Sequence, residues 1–212
     1  PVGKDSLSMQ TTWQDADVNK NVVSPVSLIV SAFAPVSDIR NTWTPQIRTD
    51  LGASYLILID LGLKKNRLGG SCLSQVYKIN DTNTPDLEST DLLVSYFKFI
   101  NKLKDEVDVI SYHDRSDGGL LATVCEMAFA GRCGMKIQIN TLGNNALESL
   151  FNEELGAVLQ IKAEDLAKAT LLAEELGLTE CFHVLGEPST DEKIIISSNN
   201  KELLNESRAE LE

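Results

Sequence analysis

The stretch SYHDRSDGGLLATVCEMAFAG, residues 111–131, joins a short apolar segment to an amphipathic one through a polar turn. The turn contains Asp114 and Asp117, three residues apart, followed by Gly118 and Gly119. Glycines allow a ligand to approach the backbone closely, and a helix N-terminus presents N–H groups and the positive end of its dipole. Carboxylates are oxygen ligands of the kind that Mg²⁺ prefers. The pattern therefore predicts a strand, a turn and a helix, and favours a metal-bound phosphate ligand at the turn.

A purely structural interpretation of the same turn is equally compatible with the spacing. Asp117 stands where a residue that caps the helix N-terminus is expected, and the two glycines are typical of tight turns. The spacing of these residues does not choose between a ligand site and a capped turn.

The rest of the second half of the chain alternates between helical and extended patterns, which indicates an α/β class of fold of the α+β type. Thr90 or Asp91 is the expected cap of a helix over 90–106, and Gly131 is expected to end the helix that starts near Gly119. Further helices are predicted at 145–151, 163–178 and 201–212, and strands at 108–112, 135–139, 157–161, 181–187 and 193–198.

The first part of the chain is richer in extended segments. Residues 22–36 and 54–61 are predicted to be buried strands, because they are rich in β-branched and large apolar residues between Pro, Asn and Gly. A domain boundary is expected near residues 62–66, with a strand-rich piece over 1–62 and an α/β piece over 63–212, in different sheets. Few helices are available to cover the strands of the first piece, so we expect a partner and interpret the chain as a fragment.

Composition excludes some classes of function. The 212 residues carry a net charge of −12, which argues against a broad nucleic-acid-binding face. No apolar run approaches the ~20 residues of a membrane span, and no leader pattern is visible, so a cytoplasmic protein without a membrane role is expected. The four cysteines, Cys72, Cys125, Cys133 and Cys181, form no CxxC pair and are expected to be reduced thiols.

Two other stretches carry polar groups whose role the sequence leaves open. The opening segment PVGKDSLSM, residues 1–9, could bind an anion but is also ordinary loop composition. In LFNEELGAV, residues 150–158, Glu153 and Glu154 are expected to be solvated surface groups. His183 lies inside an apolar strand and is expected to be a packed core histidine.

Four blocks of sequence occur together in one known family. They are GKDSLSM (3–9), LGGSCLSQVY (68–77), HDRSDGGLLATVCEMAFAGRCG (113–134) and LFNEELGAVLQI (150–161). In these blocks, and more loosely at 10–60 and after 178, the chain resembles the large, single-chain form of phosphoribosylformylglycinamidine synthase. The resemblance places it in the C-terminal half of that family's synthetase core. It implies an aminoimidazole ribonucleotide synthetase-like C-terminal subdomain, preceded by part of a strand-rich N-terminal-type subdomain.

The resemblance also implies an activity. The family is an ATP-dependent carbon–nitrogen ligase of purine biosynthesis that converts formylglycinamide ribonucleotide to formylglycinamidine ribonucleotide, with ammonia released from glutamine by a separate glutaminase domain. The implied partners are therefore the remaining synthetase half and that glutaminase domain, and the implied cofactors are Mg²⁺ and ATP or ADP. The fragment alone is expected to be inactive. One nucleotide site of the family is structural, so a nucleotide-binding scaffold is the alternative function.

Site residues follow from the resemblance position by position. The family's magnesium ligand falls on Asp114 and a nucleotide contact on Ser116. In related small-chain enzymes the opening motif supplies a nucleotide contact, here Gly3, and a substrate contact, here Ser6. Lys4 stands where those enzymes have an asparagine metal ligand, so no metal role is assigned to it. Catalytic residues stay unassigned. Kinase-like relatives such as thiamine monophosphate kinase share the architecture but not the first and last blocks.

Overall fold

The structure is a computed structural model that describes residues 10–23, 30–36 and 38–212. The chain divides into two compact units between Asn41 and Thr42. The predicted boundary near residues 62–66 is therefore wrong.

The first unit contains an antiparallel hairpin of β1 (Gln10–Asp15) and β2 (Val18–Val23), and a short 3-10 helix at Ile39–Asn41. Every residue of both strands is exposed. Residues 30–36 are exposed and have no regular structure. The prediction of a buried strand over 22–36 is thus wrong in its described part, where only Val22 and Val23 belong to a strand.

The second unit is built on a seven-stranded sheet in the order β4-β6-β3-β7-β5-β8-β9. Neighbouring strands run antiparallel except β5 and β8, which are parallel. The strands are β3 (Ser54–Asp60), β4 (Val109–Asp114), β5 (Gly134–Gln138), β6 (Gly156–Lys162), β7 (Phe182–Ser189), β8 (Lys193–Ser198) and β9 (Lys201–Ser207).

Six α-helices accompany the sheet: α1 (Cys72–Tyr77), α2 (Thr90–Glu106), α3 (Gly119–Gly131), α4 (Ala146–Phe151), α5 (Leu166–Glu175) and α6 (Arg208–Leu211). Short 3-10 helices lie at Ala163–Asp165 and Thr179–Cys181. Within the described ranges, no helix combines the length and the apolar character needed to cross a membrane.

Each face of the sheet is covered by helices, which makes two apolar cores. On one face α3 and α4 pack through residues such as Leu120, Met127 and Leu150. On the other, α2 and α5 pack through residues such as Phe99 and Leu172. Strand β3 serves both cores because its side chains alternate, with Leu56 and Leu58 in the first core and Ile57 and Ile59 in the second. This double coverage explains the uninterrupted apolar run at 55–59.

Strand β3 overturns the expectation of two separate sheets. It lies in the interior of the sheet, hydrogen-bonded to β6 on one side and to β7 on the other. The change of pattern after Leu61 marks the end of a strand and not the end of a domain. The helices that cover β3 come later in the sequence, so a local window could not reveal them.

The C-terminal segment is a second departure from expectation. Residues 201–212 are not one charged helix, because β9 pairs with β8 over Lys201–Ser207 and only the four residues Arg208–Leu211 are helical. The helix over 90–106 is confirmed, with its N-cap one residue earlier than expected: the Ser89 hydroxyl accepts a hydrogen bond from the Leu92 N–H.

Candidate functional site

Three loops meet at one end of the sheet, where β3 and β4 end and where β6 begins. They follow β3 (residues 61–71), connect β4 to α3 (residues 115–118) and connect α4 to β6 (residues 152–155). Their contact is direct, since the Leu61 N–H donates to the Leu155 carbonyl and the Arg115 N–H donates to the Gly156 carbonyl, at 2.9 and 2.8 Å. The turn predicted to bind a ligand, residues 115–118, is thus hydrogen-bonded to its neighbours at this end of the sheet.

A buried ion pair anchors the turn to β3. The Arg115 side chain is 1% exposed and the Asp60 side chain 2%, and Arg115 Nη2 lies 2.6 Å from Asp60 Oδ1. The guanidinium also donates to the carbonyls of Glu154 and Leu155. Burial would raise the pKa of the Asp60 carboxyl, but the facing Arg115 guanidinium and its hydrogen bond hold that pKa below its ordinary value.

A second buried pair ties the loop after β3 to the loop before β6. Arg67 Nε and Nη2 each lie 2.7 Å from one oxygen of Glu154, whose side chain is fully buried. This is the two-pronged geometry of a strong guanidinium–carboxylate pair. Arg67 also contacts Glu88 at 2.8 Å. The expectation that Glu154 is a solvated surface group is therefore wrong.

Glu153 bridges two helix N-termini. Its Oε1 accepts hydrogen bonds from the N–H groups of Cys72, at the start of α1, and Gly118, the N-cap of α3, at 2.8 and 2.9 Å. A carboxylate at this position is stabilised by the positive ends of the helix dipoles. Glu153 is half-buried, so the expectation of a solvated group fails here also.

Close packing fixes the residue type at Gly119. Its φ is +70°, and a Cβ at this position would lie 2.5 Å from the Asn152 carbonyl oxygen. Asn152 itself is buried and donates to Asn66 Oδ1 at 3.1 Å. The glycine pair therefore serves contact between loops of the protein, in addition to forming the turn.

The backbone N–H groups of the glycine turn are already used within the chain. Gly118 donates to Glu153, and Gly119 donates to the Ser116 carbonyl at 3.0 Å. Asp117 does not cap α3, because the N-cap is Gly118 and no side chain accepts a hydrogen bond there. The capping role expected for Asp117 is wrong, and these two N–H groups are not available to a phosphate as the turn stands.

Asp114 and Ser116 are both exposed at the surface of the turn. The Asp114 side chain is 70% exposed, and its Oδ1 lies 3.7 Å from His113 Nδ1. In the part of the chain that the structure describes, neither the Asp114 carboxylate nor the Ser116 hydroxyl takes part in a hydrogen bond. The two groups are therefore open to a ligand. Gly3 and Ser6 lie outside the described residues.

Cys72, Asp117 and Glu153 form a cluster in which one potential ligand atom of each lies within 4.8 Å of the others. Burial raises the pKa of the Cys72 thiol, and the neighbouring Glu153 and Asp117 carboxylates raise it further. A thiol in this state is a poor nucleophile. Glu153 Oε1 is already shared by two N–H groups, so the cluster links the N-termini of α1 and α3.

His183 lies on β7, buried as expected. Its Nδ1 is 3.2 Å from Thr141 Oγ1, and its Nε2 has no hydrogen-bond partner among the described residues. Burial lowers the pKa of the His183 imidazole, whereas the Asp60 carboxylate raises it. The packed-histidine interpretation is confirmed.

The family model described as "AIR synthase related protein, C-terminal domain" matches residues 56–197, about two-thirds of the chain. The chain belongs to this family. Residues 1–35 match a second model, the "FGAR-AT PurM_N-like domain". The mixed sheet with helices on both faces is accordingly a PurM-like synthetase fold, which confirms the predicted fold class.

Solved structures share this fold at low sequence identity. PurL of Thermotoga maritima complexed with ATP is 12% identical with a TM-score of 0.62, over 81% of this chain and 27% of that one. The same protein complexed with FGAR is 10% identical with a TM-score of 0.66, over 82% and 30%. HypE of E. coli, a hydrogenase maturation protein, is 16% identical with a TM-score of 0.53, over 78% and 51%. The chain thus spans just over a quarter of the length of the PurL structures.

Proposed function

We propose that this chain is part of an ATP-dependent carbon–nitrogen ligase that converts formylglycinamide ribonucleotide to formylglycinamidine ribonucleotide in purine biosynthesis. The support is the family match over 56–197, the match of 1–35 to a domain named for FGAR-AT, and the four sequence blocks that resemble the large single-chain form. The remaining synthetase half and a glutaminase domain that supplies ammonia are its proposed partners, and the cytoplasm is its proposed location.

The observation that carries the proposal is the arrangement at the β4–α3 turn. Asp114 and Ser116 face solvent without hydrogen-bond partners among the described residues, and Arg115 between them is buried. A chain with a net charge of −12 attracts no polyphosphate through bulk charge. Nucleotide phosphate at this turn therefore needs a cation next to a carboxylate.

The residues present fit Mg²⁺. Asp114 offers hard carboxylate oxygens, and Ser116 offers a neutral hydroxyl two residues away for a phosphate or ribose oxygen. We assign Asp114 to the metal and Ser116 to the nucleotide. When bound, Mg²⁺ neutralises phosphate charge and favours transfer of the terminal phosphoryl group. The chain's own contribution is to bind and orient the nucleotide. Gly3 and Ser6 remain proposed contacts to nucleotide and substrate.

A structural nucleotide is the second candidate, and His113 favours it. The His113 imidazole lies next to Asp114, and both of its ring nitrogens are in hydrogen bonds. Nδ1 is 2.8 Å from the Asp114 carbonyl oxygen, and Nε2 is 3.0 Å from Glu126 Oε2. Neither ring nitrogen of His113 is therefore left free for a catalytic proton transfer. The turn would then retain a nucleotide that holds the loops together.

An assay of the protein that contains this chain, with ATP, formylglycinamide ribonucleotide and ammonium as substrates, distinguishes the catalytic from the structural function. A catalytic site predicts that Asp114→Asn lowers kcat at least tenfold with little change in melting temperature. A structural site predicts loss of bound nucleotide and a lower melting temperature, with kcat kept by the molecules that stay folded. Asp117→Asn is the matched control, because it removes the same charge from the same turn. Product formation unaffected by Asp114→Asn, with nucleotide retained, would contradict both.

A further inference from the structure

Arg115 stands between the two residues assigned to the ligand, and its side chain points the opposite way. Asp114 and Ser116 are exposed, whereas the Arg115 side chain is 1% exposed. The guanidinium has three acceptors: Asp60 Oδ1 and the Glu154 carbonyl at 2.6 Å, and the Leu155 carbonyl at 3.1 Å. The Arg115 N–H adds a fourth bond, to the Gly156 carbonyl at 2.8 Å. Backbone and side chain of one residue are thus fixed to two strands.

These contacts restrict the residues on either side. The backbone atoms of Asp114 and Ser116 are bonded directly to those of Arg115, so their Cα positions follow from where Arg115 is held. An exposed turn without such an anchor samples several conformations, which weakens any site that needs two groups at a defined separation.

The same contacts keep the positive charge of the Arg115 guanidinium inside the protein. A free guanidinium one residue from Asp114 would compete with a cation for its carboxylate. Here Asp60 holds the guanidinium inside the protein, so that among the described residues the Asp114 carboxylate has no basic side chain within ion-pair distance except the imidazole of His113. The buried pair therefore keeps Asp114 available to a metal ion.

We propose that Arg115, held by Asp60, is the positioning residue of the metal–nucleotide site: it sets the separation of Asp114 and Ser116 and keeps its own charge away from the metal ligand. This inference rests on the proposed function, since it concerns the same site. Its substitution is expected to act on ligand binding through geometry, beyond any loss of stability.

The test is binding of Mn²⁺–ADP to the chain, followed by water-proton relaxation, which reports both affinity and the environment of the bound Mn²⁺. Arg115→Lys keeps the positive charge but loses the planar guanidinium that binds several acceptors at once. We expect it to weaken Mn²⁺–ADP binding about tenfold, as loss of a group that orients a metal ligand typically does. It should also change the relaxation enhancement at saturation. Arg208→Lys is the matched control: Arg208 pairs with Glu192 and lies near Cys133, beyond the opposite end of α3, and its substitution should leave binding unchanged.

A double variant, Asp60→Asn with Arg115→Gln, tests whether weaker binding could be caused by unfolding alone. It removes both buried charges together, so no unpaired charge remains, while the Asn amide oxygen can still accept from one of the two N–H groups, of Gly62 and Lys64, that Asp60 binds. We expect it to fold and to bind Mn²⁺–ADP as weakly as Arg115→Lys.

The outcomes separate the two claims. If Asp114→Asn loses binding while Arg115→Lys and the double variant bind like the unsubstituted chain, Arg115 has only a structural role and the positioning inference fails, but the proposed site stands. If Asp114→Asn also binds normally, or if the unsubstituted chain does not bind Mn²⁺–ADP, the proposed site fails and the inference fails with it.

Discussion

Arg115 Nη2 lies 2.6 Å from Asp60 Oδ1, and this pair joins the β4–α3 turn to the end of β3, an interior strand of the sheet. Asp60 also accepts the N–H groups of Gly62 and Lys64, so one carboxylate organises two of the three loops at this end. A buried pair of this kind is costly to break one partner at a time, because the remaining charge is left without a counter-charge. The loop after β3 and the β4–α3 turn are thus held together by buried interactions of Asp60.

Glu154→Gln is predicted to destabilise the chain by about 3 kcal/mol, because it leaves the Arg67 guanidinium without its buried counter-charge. For a protein of this size that corresponds to a fall in melting temperature of roughly 6–12 °C. Thermal unfolding followed by circular dichroism measures the change.

Glu175→Gln is the control for that measurement. Its partner Lys102 is 2.8 Å away, and both side chains are largely exposed, at 64% and 41%. Solvent screens such a pair, so the expected change is below about 1 kcal/mol. An equal effect of the two substitutions would show that burial of the Glu154 pair contributes nothing.

Stability is predicted to fall as the pH drops below about 6.5, in part through His183. Burial lowers the pKa of this imidazole in the folded chain, and the facing charges are Asp60, which opposes the shift, and Lys64 and Arg115, which add to it. The unfolded chain therefore binds a proton that the folded chain excludes, which costs at most about 1.4 kcal/mol per pH unit. Denaturant unfolding between about pH 7.5 and 5.5 should show a smaller fall for His183→Gln. An unchanged slope in that variant would assign the effect to other groups.

Thiol reactivity is predicted to single out Cys72. Burial raises the pKa of Cys125, Cys133 and Cys181 to about 11, and all three thiols are buried. Cys72 is partly accessible, although burial and two carboxylates raise its pKa as well. An aromatic disulfide reagent should therefore modify Cys72 slowly in the native chain, and all four thiols after denaturation. Rapid modification of any buried thiol would mean that the corresponding core opens.

The isolated chain is predicted to have no synthetase or glutaminase turnover. It spans just over a quarter of the length of the PurL structures that share its fold, and both ring nitrogens of His113, the imidazole at the turn, are engaged in hydrogen bonds. The measurement is ammonia-dependent, ATP-consuming product formation by the purified 23.2 kDa species. Turnover by that species would refute the proposal that further parts of a synthetase are required.

The sequence predicted the elements of the second unit well where hydrophobic spacing was regular. Helices α2 and α3 and strands β4, β6 and β7 are confirmed, because each carries a sustained apolar pattern. The segment 201–212 was wrongly predicted to be a helix, because its charged composition favours helix. The pairing of β9 with β8 is a tertiary contact that composition does not show. Strand β3 was assigned to the wrong sheet because its covering helices lie far away in the chain.

The candidate site was predictable in its exposed part only. Asp114 and Ser116 follow from the motif, but their support through Asp60, Arg67 and Glu154 does not, because ion pairing between distant loops leaves no periodic signal. One local signal existed. Asp60 ends an uninterrupted apolar strand, and a carboxylate in such a place needs a buried partner.

Paramagnetic broadening can locate the metal-bound nucleotide that we propose at the turn containing Asp114 and Ser116. Amide resonances of the isotope-labelled chain are recorded during titration with Mn²⁺–ADP, with Mg²⁺–ADP as the diamagnetic reference. We expect selective broadening of the resonances of residues 113–117, which is lost in Asp114→Asn and kept in Asp117→Asn. Broadening confined to another surface, or unchanged by Asp114→Asn, would contradict it.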